Sequence, residues 1–242
     1  MPRYQVSGKG KDTGRKRNRV YSAYNEMFAR EMAERDGTVV DSVEVLPDEP
    51  ASEKQISYAR SLGATFPNDI TSNEISDIIN FHRSYDRPMD DRHKRFAEIF
   101  KIEITKYTGK KSFYDQLMHI LQNEGRDKEL VSWFVYRVCR YHVNGGEDHP
   151  QAVGPDSPAI QAIADHLLAN PKNLQSIKRY RGRDLIWFGQ WTAPDGSVHN
   201  GGSIRTEVFK NASNLIEAYF GISRKEQKKS QPQYGLDVDV EM

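Results

Sequence analysis

The stretch from Leu130 to Cys139 constrains the fold more than any other part of this sequence. At helical spacing its apolar residues cover nearly the whole circumference of a helix: Leu130, Val131, Trp133, Phe134, Val135, Val138 and Cys139. A helix that is apolar on every side has to be surrounded by other elements. We therefore expect a central, buried helix that forms the core of a helical domain.

The composition predicts several small folded modules with much solvated surface. Of the 242 residues, 37% are hydrophobic and 29% are charged, which is enough apolar material for real cores. The 35 Lys and Arg residues nearly balance the 34 Asp and Glu residues, for a formal net charge of +1. The overall charge therefore does not indicate nucleic-acid binding, and any such role depends on local patches.

The single cysteine, Cys139, excludes an intrachain disulfide and a multi-cysteine metal site. It is typical of a protein from a reducing compartment. The first residues lack the apolar core of a signal peptide, and no run reaches the roughly 18 apolar residues of a membrane-spanning helix. The sequence thus predicts a soluble, cytoplasmic protein without a membrane partner.

Residues 1–47 predict a small β-β-α-β module. Its helix is capped by Asn25, is buried through Ala29, Met32 and Ala33, and ends at Gly37. The predicted strands are Tyr4–Gly8, Asn18–Ser22 and Val39–Leu46, and a turn at Asp12–Gly14 connects the first two.

With its Thr13-Gly14-Arg15 turn and the closing strand that follows Asp36-Gly37, the segment 3–47 resembles the small N-terminal modules of bacterial type II secretion platform proteins. The resemblance implies the β-β-α-β fold. A basic run departs from what is expected of the secretion module, so no secretion role is carried over. That run comprises Lys9, Lys11, Arg15, Lys16, Arg17 and Arg19.

Residues 51–84 predict a helical hairpin. Ser52 with Gln55, and Thr71 with Glu74, have the spacing of capping boxes at two helix starts. The segment 51–80 is similar to a short helical segment of bacterial and phage proteins of mostly unassigned function. That resemblance is carried by Lys54, Gln55, Ile56, Tyr58, Leu62 and Gly63.

The remaining patterns predict a helical domain at 88–146, helices with a β-hairpin at 156–222, and a disordered tail at 223–242. Ser112 is the expected cap of one helix in the first of these domains. In the second, Ser157-Pro158 and Asn170-Pro171 are typical helix starts, and the last helix is expected to begin near Ser203. The fold class is therefore α+β and mostly helical.

The densest combination of basic, aromatic and glycine residues lies between residues 178 and 206. Leu185–Trp191, the turn Ala193–Gly196 and Ser197–Asn200 predict a β-hairpin. Arginines beside aromatic side chains suit phosphate contacts and base stacking, and a helix start attracts anions. The candidate binding residues are Lys178, Arg179, Tyr180, Arg181, Arg183, Trp187, Trp191, Gly202, Ser203, Arg205 and Thr206.

Each of these features also has a structural interpretation. The aromatic residues can fill the space between hairpin and helices, the glycines can turn the chain, and Ser203 can cap a helix. The basic N-terminal run Lys9–Arg19 is a further candidate for phosphate contacts, and its structural alternative is a solvated face.

The sequence contains few features that are typical of an enzyme. The seven histidines show no HExxH motif, no GxSxG elbow occurs, and no cofactor fingerprint is present. Asp90, Asp91 and His93, or Asp148 and His149, are carboxylate and histidine neighbours of a kind that often arises by chance. The sequence thus favours a role other than catalysis, without cofactor or metal.

Three functions remain open. The leading hypothesis is a bacterial or phage protein that binds nucleic acid or a nucleic-acid-processing complex. The first alternative is a protein-interaction adaptor or inhibitor in phage-host conflict, with the Trp-rich hairpin as its contact surface. The second is an enzyme acting on a phosphorylated substrate, with Gly202, Ser203 and Arg205 as anion site and His199 as acid or base. The sequence does not predict an oligomeric state.

Overall fold

The computed structural model describes residues 2–122, 125–143, 147–180, 185, 190–200 and 203–221. The chain divides into two compact units, residues 1–120 and residues 121–242. The described residues form nine α-helices and five β-strands, which confirms the α+β, mostly helical class. The finer division into modules stays a prediction, and the predicted disordered tail 223–242 lies outside the described residues.

The N-terminal β-β-α-β module forms as expected. Its elements are β1 (Arg3–Gly10), β2 (Lys16–Ser22), α1 (Glu26–Arg35) and β3 (Thr38–Val45). Both outer strands pair antiparallel with β1, in the order β2-β1-β3, and α1 packs on the sheet. Asn25 caps α1 by accepting a hydrogen bond from the Phe28 N–H at 3.0 Å.

One detail of this module differs from the prediction. Met32, expected in the buried stripe of α1, is 40% exposed, whereas Phe28, Ala29 and Ala33 are buried. The buried stripe includes the first turn of α1 because the Phe28 ring packs against Tyr24 and His119, at centroid distances of 6.1 and 6.2 Å.

The predicted helical hairpin consists of α2 (Glu53–Ser61) and α3 (Ser72–Arg83). Both predicted capping boxes are present, with the Ser52 and Thr71 side chains accepting from the backbone of Gln55 and Glu74. A small core joins the two helices, formed by Ala59, Ala64, Ile70, Ile75 and Ile78.

Two further helices complete the first unit, α4 (Asp91–Phe100) and α5 (Lys110–Leu121). Ser112, the predicted cap of α5, lies inside the helix, so that prediction is wrong. Asp86 supplies the cap instead, because its carboxylate accepts from the backbone N–H groups of Lys111 at 2.8 Å and Ser112 at 3.1 Å.

The second unit is built around α6 (Asp127–His142), and every residue from Leu130 to Cys139 is buried. Three helices contact α6, namely α7 (Pro158–Leu168), α8 (Pro171–Lys178) and α9 (Glu207–Phe220). The predicted central helix is therefore confirmed, as are the helix starts at Pro158 and Pro171. Among the described residues no helix combines the length and the apolar character needed to cross a membrane.

The predicted β-hairpin is present as β4 (Gln190–Thr192) and β5 (Val198–Asn200). The first strand does not begin at Leu185 as predicted, because Leu185 lies in a turn, and residues 186–189 lie outside the described residues. Its turn is closed by the Ala193 N–H donating to the Ser197 carbonyl at 2.8 Å. The last helix begins at Glu207 rather than near Ser203, because Thr206 caps it by accepting from the Phe209 N–H at 3.3 Å. Residues 203–205 form a separate 3₁₀ turn.

Candidate nucleic-acid interface

Strand β2 divides the basic N-terminal run between two faces of the sheet. Successive side chains of a strand point to opposite faces. Arg17 and Arg19 pair with Gly8 and Val6 of β1, which lie on the buried face toward α1. Lys16 pairs with Lys9 on the opposite, exposed face.

The two arginines on the inner face support the fold. Arg17 donates from one guanidinium nitrogen to the carbonyls of Asp36, at 2.9 Å, and Gly37, at 3.0 Å. These carbonyls follow the end of α1, where free acceptors and the helix dipole favour a cation. Arg19 donates to the Asp36 carboxylate at 3.0 Å. The hydrogen bond from the Tyr21 hydroxyl, helped by Arg19, lowers the pKa of the Asp36 carboxyl.

The other four cations form what we call the hairpin tip, which consists of Lys9, Lys11, Arg15 and Lys16. All four side chains are exposed. Within the described part of the chain, no carboxylate forms an ion pair with any of them. Asp12, the one acidic residue of the turn, is also exposed. The tip therefore presents a net positive charge to solvent.

Lys9 and Lys16 lie directly opposite each other in the β1–β2 register. Like charges at directly opposed positions destabilise an antiparallel pair. An anion placed at the hairpin tip would remove this repulsion. Since β2 is also an edge strand of the sheet, the tip and the outer side of β2 are open to a ligand.

The segment 178–206 lies in the second unit, and its described cations are less available. The Lys178 ammonium forms an ion pair with Asp127 at 2.5 Å. Arg179 ends α8 and is exposed, and Arg205 is exposed in the 3₁₀ turn. Tyr180 is half-buried, and its carbonyl accepts from Gln122 at 2.7 Å. Thr206 uses its hydroxyl as the cap of α9.

The side chains of the other predicted residues of this segment are not among those that the structure describes. Arg181, Arg183, Trp187 and Gly202 lie outside the described residues. Trp191 and Ser203 are described by backbone alone, in β4 and in the 3₁₀ turn. His199, the acid or base of the enzymatic alternative, is placed only by its backbone pairing with Trp191. The binding role of 178–206 stays a prediction.

Among the carboxylate and histidine neighbours at 90–93, the buried His93 pairs with the partly exposed Asp90. Asp90 caps α4, and the His93 ring donates from Nδ1 to Asp90 Oδ1 at 2.6 Å. Burial lowers the pKa of His93, against the opposing effect of Asp90. Burial acts to raise the pKa of Asp90, but the hydrogen bonds from His93 outweigh it and lower that pKa. The His93 ring is 1% exposed, so it has no access to a substrate.

No set of three or more His, Cys, Asp or Glu side chains in the described ranges is arranged to hold a metal ion. Tyr85, which is not among the binding residues predicted from the sequence, is 89% exposed. The exposed residues Arg83 and Arg87 stand on either side of it in the sequence. This alternation of basic and aromatic residues is the signal that points to it.

Comparison with known proteins adds no family: no family model, curated protein or solved structure matches the chain. The resemblances of residues 3–47 and 51–80 therefore stay predictions.

Proposed function

We propose that this protein binds the phosphate backbone of nucleic acid through the hairpin tip, as part of a nucleic-acid-processing function. The observation that carries the proposal is the set of four exposed cations that have no carboxylate partner among the described residues, two of which oppose each other across the strands. Phosphate groups spaced along a strand offer the complementary charge. Hairpins of this kind are also narrow enough to follow a groove of the duplex.

The rest of the module keeps the tip in place. Arg17 and Arg19 bind the end of α1, so the strand that carries Lys16 is fixed on its inner face. The Gly10 N–H closes the turn by donating to the Arg15 carbonyl at 2.9 Å, and glycine allows the close approach there because a Cβ would lie 2.6 Å from the Thr13 hydroxyl oxygen. A rigid hairpin loses little conformational entropy when it binds.

The test is binding of fluorescein-labelled DNA and RNA, single-stranded and duplex, at several salt concentrations. If all four tip cations contact phosphates of a duplex, the logarithm of the affinity falls with the logarithm of the salt concentration with a slope of about −3.6. Replacing the four with alanine is expected to remove most of this slope and most of the affinity at low salt.

A matched control removes four cations that already have partners. Lys94, Lys106, Lys128 and Lys210 form ion pairs with Asp91, Glu74, Asp165 and Glu207. Their alanine variant has the same net charge as the hairpin-tip variant. We expect it to keep the salt slope of the wild type. Equal losses in the two variants would show that net charge alone drives binding, and would contradict the proposal.

Lysines on an edge strand also discourage edge-to-edge pairing of sheets. If that is their only role, the wild type binds no nucleic acid. The hairpin-tip variant then forms dimers or aggregates, which size-exclusion chromatography would detect. Such a result would overturn the proposal.

The adaptor alternative has its own supporting observation. Val20 and Val39 are 53% and 55% exposed on the strands that flank β1. Exposed apolar side chains next to charges are typical of protein contact surfaces. A stoichiometric protein partner that survives nuclease treatment, and is lost from a Val20→Ser, Val39→Ser variant, would favour the adaptor.

A further inference from the structure

The end of α3 carries a tyrosine in a backbone conformation that favours glycine. Tyr85 has φ +49° and follows the C-cap Ser84. The Asp86 N–H donates to the Phe81 carbonyl at 3.0 Å, which closes the helix end. This bond and the left-handed residue before it make up a Schellman motif, where glycine is the usual residue. A bulky side chain in the left-handed region is strained.

Helix α2 ends with the same kind of turn, and there glycine occupies the left-handed position. Gly63 has φ +78°, and the Ala64 N–H donates to the Ala59 carbonyl at 3.1 Å. At the end of α4, Lys101 has φ +54°, but there a positive charge complements the carboxyl end of the helix dipole. Tyr85 has no such compensation from the helix.

Burial does not compensate for the strain either. Tyr85 is 89% exposed, and in the described part of the structure its ring takes part in no hydrogen bond or ring contact. A ring that remains in water contributes no burial energy. The contacts among the described residues therefore give no reason for an aromatic residue at this position.

The residues on both sides of Tyr85 are held firmly. Asp86 is buried, and its carboxylate accepts from the backbone N–H groups of Arg87 at 2.7 Å, Lys111 at 2.8 Å and Ser112 at 3.1 Å. The Lys111 ammonium donates to the Ser84 carbonyl at 3.0 Å. Gly109 allows this close approach, since a Cβ there would lie 2.2 Å from Asp86 Oδ2. The backbone on both sides of Tyr85 is thus held in place, while the ring itself is exposed to solvent.

The charges next to Tyr85 fit a polyanion. Arg83 and Arg87, which flank it in the sequence, are exposed, and Lys111 lies against the same loop. Both carboxylates of the loop between α3 and α4 have partners: Asp86 accepts from backbone N–H groups, and Asp90 from the side chains of His93 and Lys110. An exposed aromatic ring that stands between two arginines in the sequence matches the base and the two flanking phosphates of a single strand.

We infer that Tyr85 is a stacking platform for a base of single-stranded nucleic acid, with Arg83 and Arg87 contacting the adjoining phosphates. The inference rests on the proposed function and specifies its substrate class, because the bases of a duplex are stacked on one another and leave no free face for the ring. Strain at this position is retained because the ring binds a ligand.

The test uses the wild type and Tyr85→Gly with fluorescein-labelled oligothymidylate and oligouridylate of about 15 nucleotides, a length within the range of single-strand binding sites, and with a duplex of equal length. Tyr85→Gly is expected to lose roughly 5- to 100-fold in affinity for the single strands, as base stacking predicts. Its affinity for the duplex stays within about twofold, because the phosphate contacts remain.

Stability separates this role from a structural one. Glycine suits the left-handed position, so Tyr85→Gly is expected to have an unchanged or higher urea midpoint while it loses affinity. Tyr85→Phe keeps the ring and is expected to bind like the wild type. The control is Tyr219→Ala, which removes a tyrosine that is 56% exposed in the second unit, and which is expected to leave binding unchanged.

The outcomes distinguish this inference from the proposed function. If the wild type binds single strands and Tyr85→Gly binds them equally well, the stacking platform is wrong and the hairpin proposal stands. If the wild type binds no nucleic acid, both fail. If Tyr85→Gly abolishes capture of a protein partner and leaves the affinity for single strands intact, the platform serves a protein, and the inference is overturned.

Discussion

The hairpin tip and the segment 178–206 look alike as sequence, since both are basic and rich in turn residues, yet the structure uses their charges differently. In the tip, Lys9, Lys11, Arg15 and Lys16 are exposed, and none has a carboxylate partner among the described residues. In the second segment Lys178 is paired with Asp127, and the Thr206 hydroxyl caps α9. Charge density along a chain therefore does not show which charges are available for a ligand.

The second unit as a whole pairs many of its cations. Ion pairs join Arg126 to Glu129, Lys128 to Asp165, Arg140 to Asp148 and Lys210 to Glu207. Each such carboxylate reduces the local positive potential that a polyanion would meet. Four measurements test the difference between the two regions.

The largest effect is expected from Gly8→Ala, which disturbs the sheet that carries the hairpin tip. A Cβ at Gly8 would lie 2.2 Å from the carbonyl oxygen of Val39 in the neighbouring strand, and backbone cannot move aside as a side chain can. We expect a loss of about 2–3 kcal/mol in the free energy of unfolding, measured by urea denaturation.

Gly14→Ala is the matched control in the same hairpin. A Cβ there meets no atom within 4 Å, but φ is +62°, so the expected loss is about 1 kcal/mol from backbone strain alone. Equal losses in the two variants would mean that the close approach of β1 and β3 at Gly8 does not hold in solution.

The second prediction compares the hairpin tip directly with the segment 178–206. Lys11→Ala with Arg15→Ala removes two cations of the tip, and Arg179→Ala with Arg205→Ala removes two exposed cations of the other segment, with the same change in net charge. We expect the first pair to flatten the salt dependence of duplex binding by about 2 in slope. The second pair is expected to change it by less than about 1.

The reverse ranking would identify 178–206 as the main binding surface and would remove the hairpin from the proposal. Equal effects would mean that both regions contact the same nucleic acid.

Local patterns predicted much of this fold. The capping boxes at Ser52 and Thr71 and the cap at Asn25 depend on residues three positions apart, and all are confirmed. The buried helix Leu130–Cys139 follows from its own apolar pattern. Where a partner lies far away in sequence the prediction is wrong, as for Ser112, since Asp86 caps α5 from 25 residues before Lys111.

The candidate site was harder to predict for the same reason. The basic run Lys9–Arg19 is visible in the sequence, but its division into structural and available cations depends on Asp36, 19 residues from Arg17. The alternation of Tyr85 with Arg83 and Arg87 is visible in the sequence, but its positive φ and its exposure are seen only in the structure. Neither property can be read from the residue type or its spacing.

A smaller effect concerns pH. His93 has a pKa below its ordinary value in the folded protein, because burial outweighs the attraction of Asp90, and Lys110 and Arg92 add to the lowering. The unfolded chain therefore takes up this proton first as the pH falls. The stability from His93 is complete above the unfolded pKa of about 6.5 and decreases below it, until the pH passes the folded pKa.

The urea midpoint between pH 7.5 and 5 measures this dependence, and His93→Gln is expected to reduce it. Binding through the hairpin tip should stay constant over this range, since lysine and arginine remain charged. An affinity that rises as the pH falls toward 5.5 would instead implicate a histidine, such as His199 in the segment 178–206.

The smallest expected effect is the absence of a reaction at Cys139. The thiol lies on α6 among residues that are all buried, and burial raises its pKa to about 12. Since only the thiolate attacks a disulfide reagent, we expect no labelling of the native protein by Ellman's reagent over an hour at pH 8, and complete labelling in 6 M guanidinium chloride. Rapid labelling of the native protein would show that α6 is often exposed. The ion pair between Asp127 on α6 and Lys178 would then break as well, and the cations of the second unit would become as available as those of the hairpin tip.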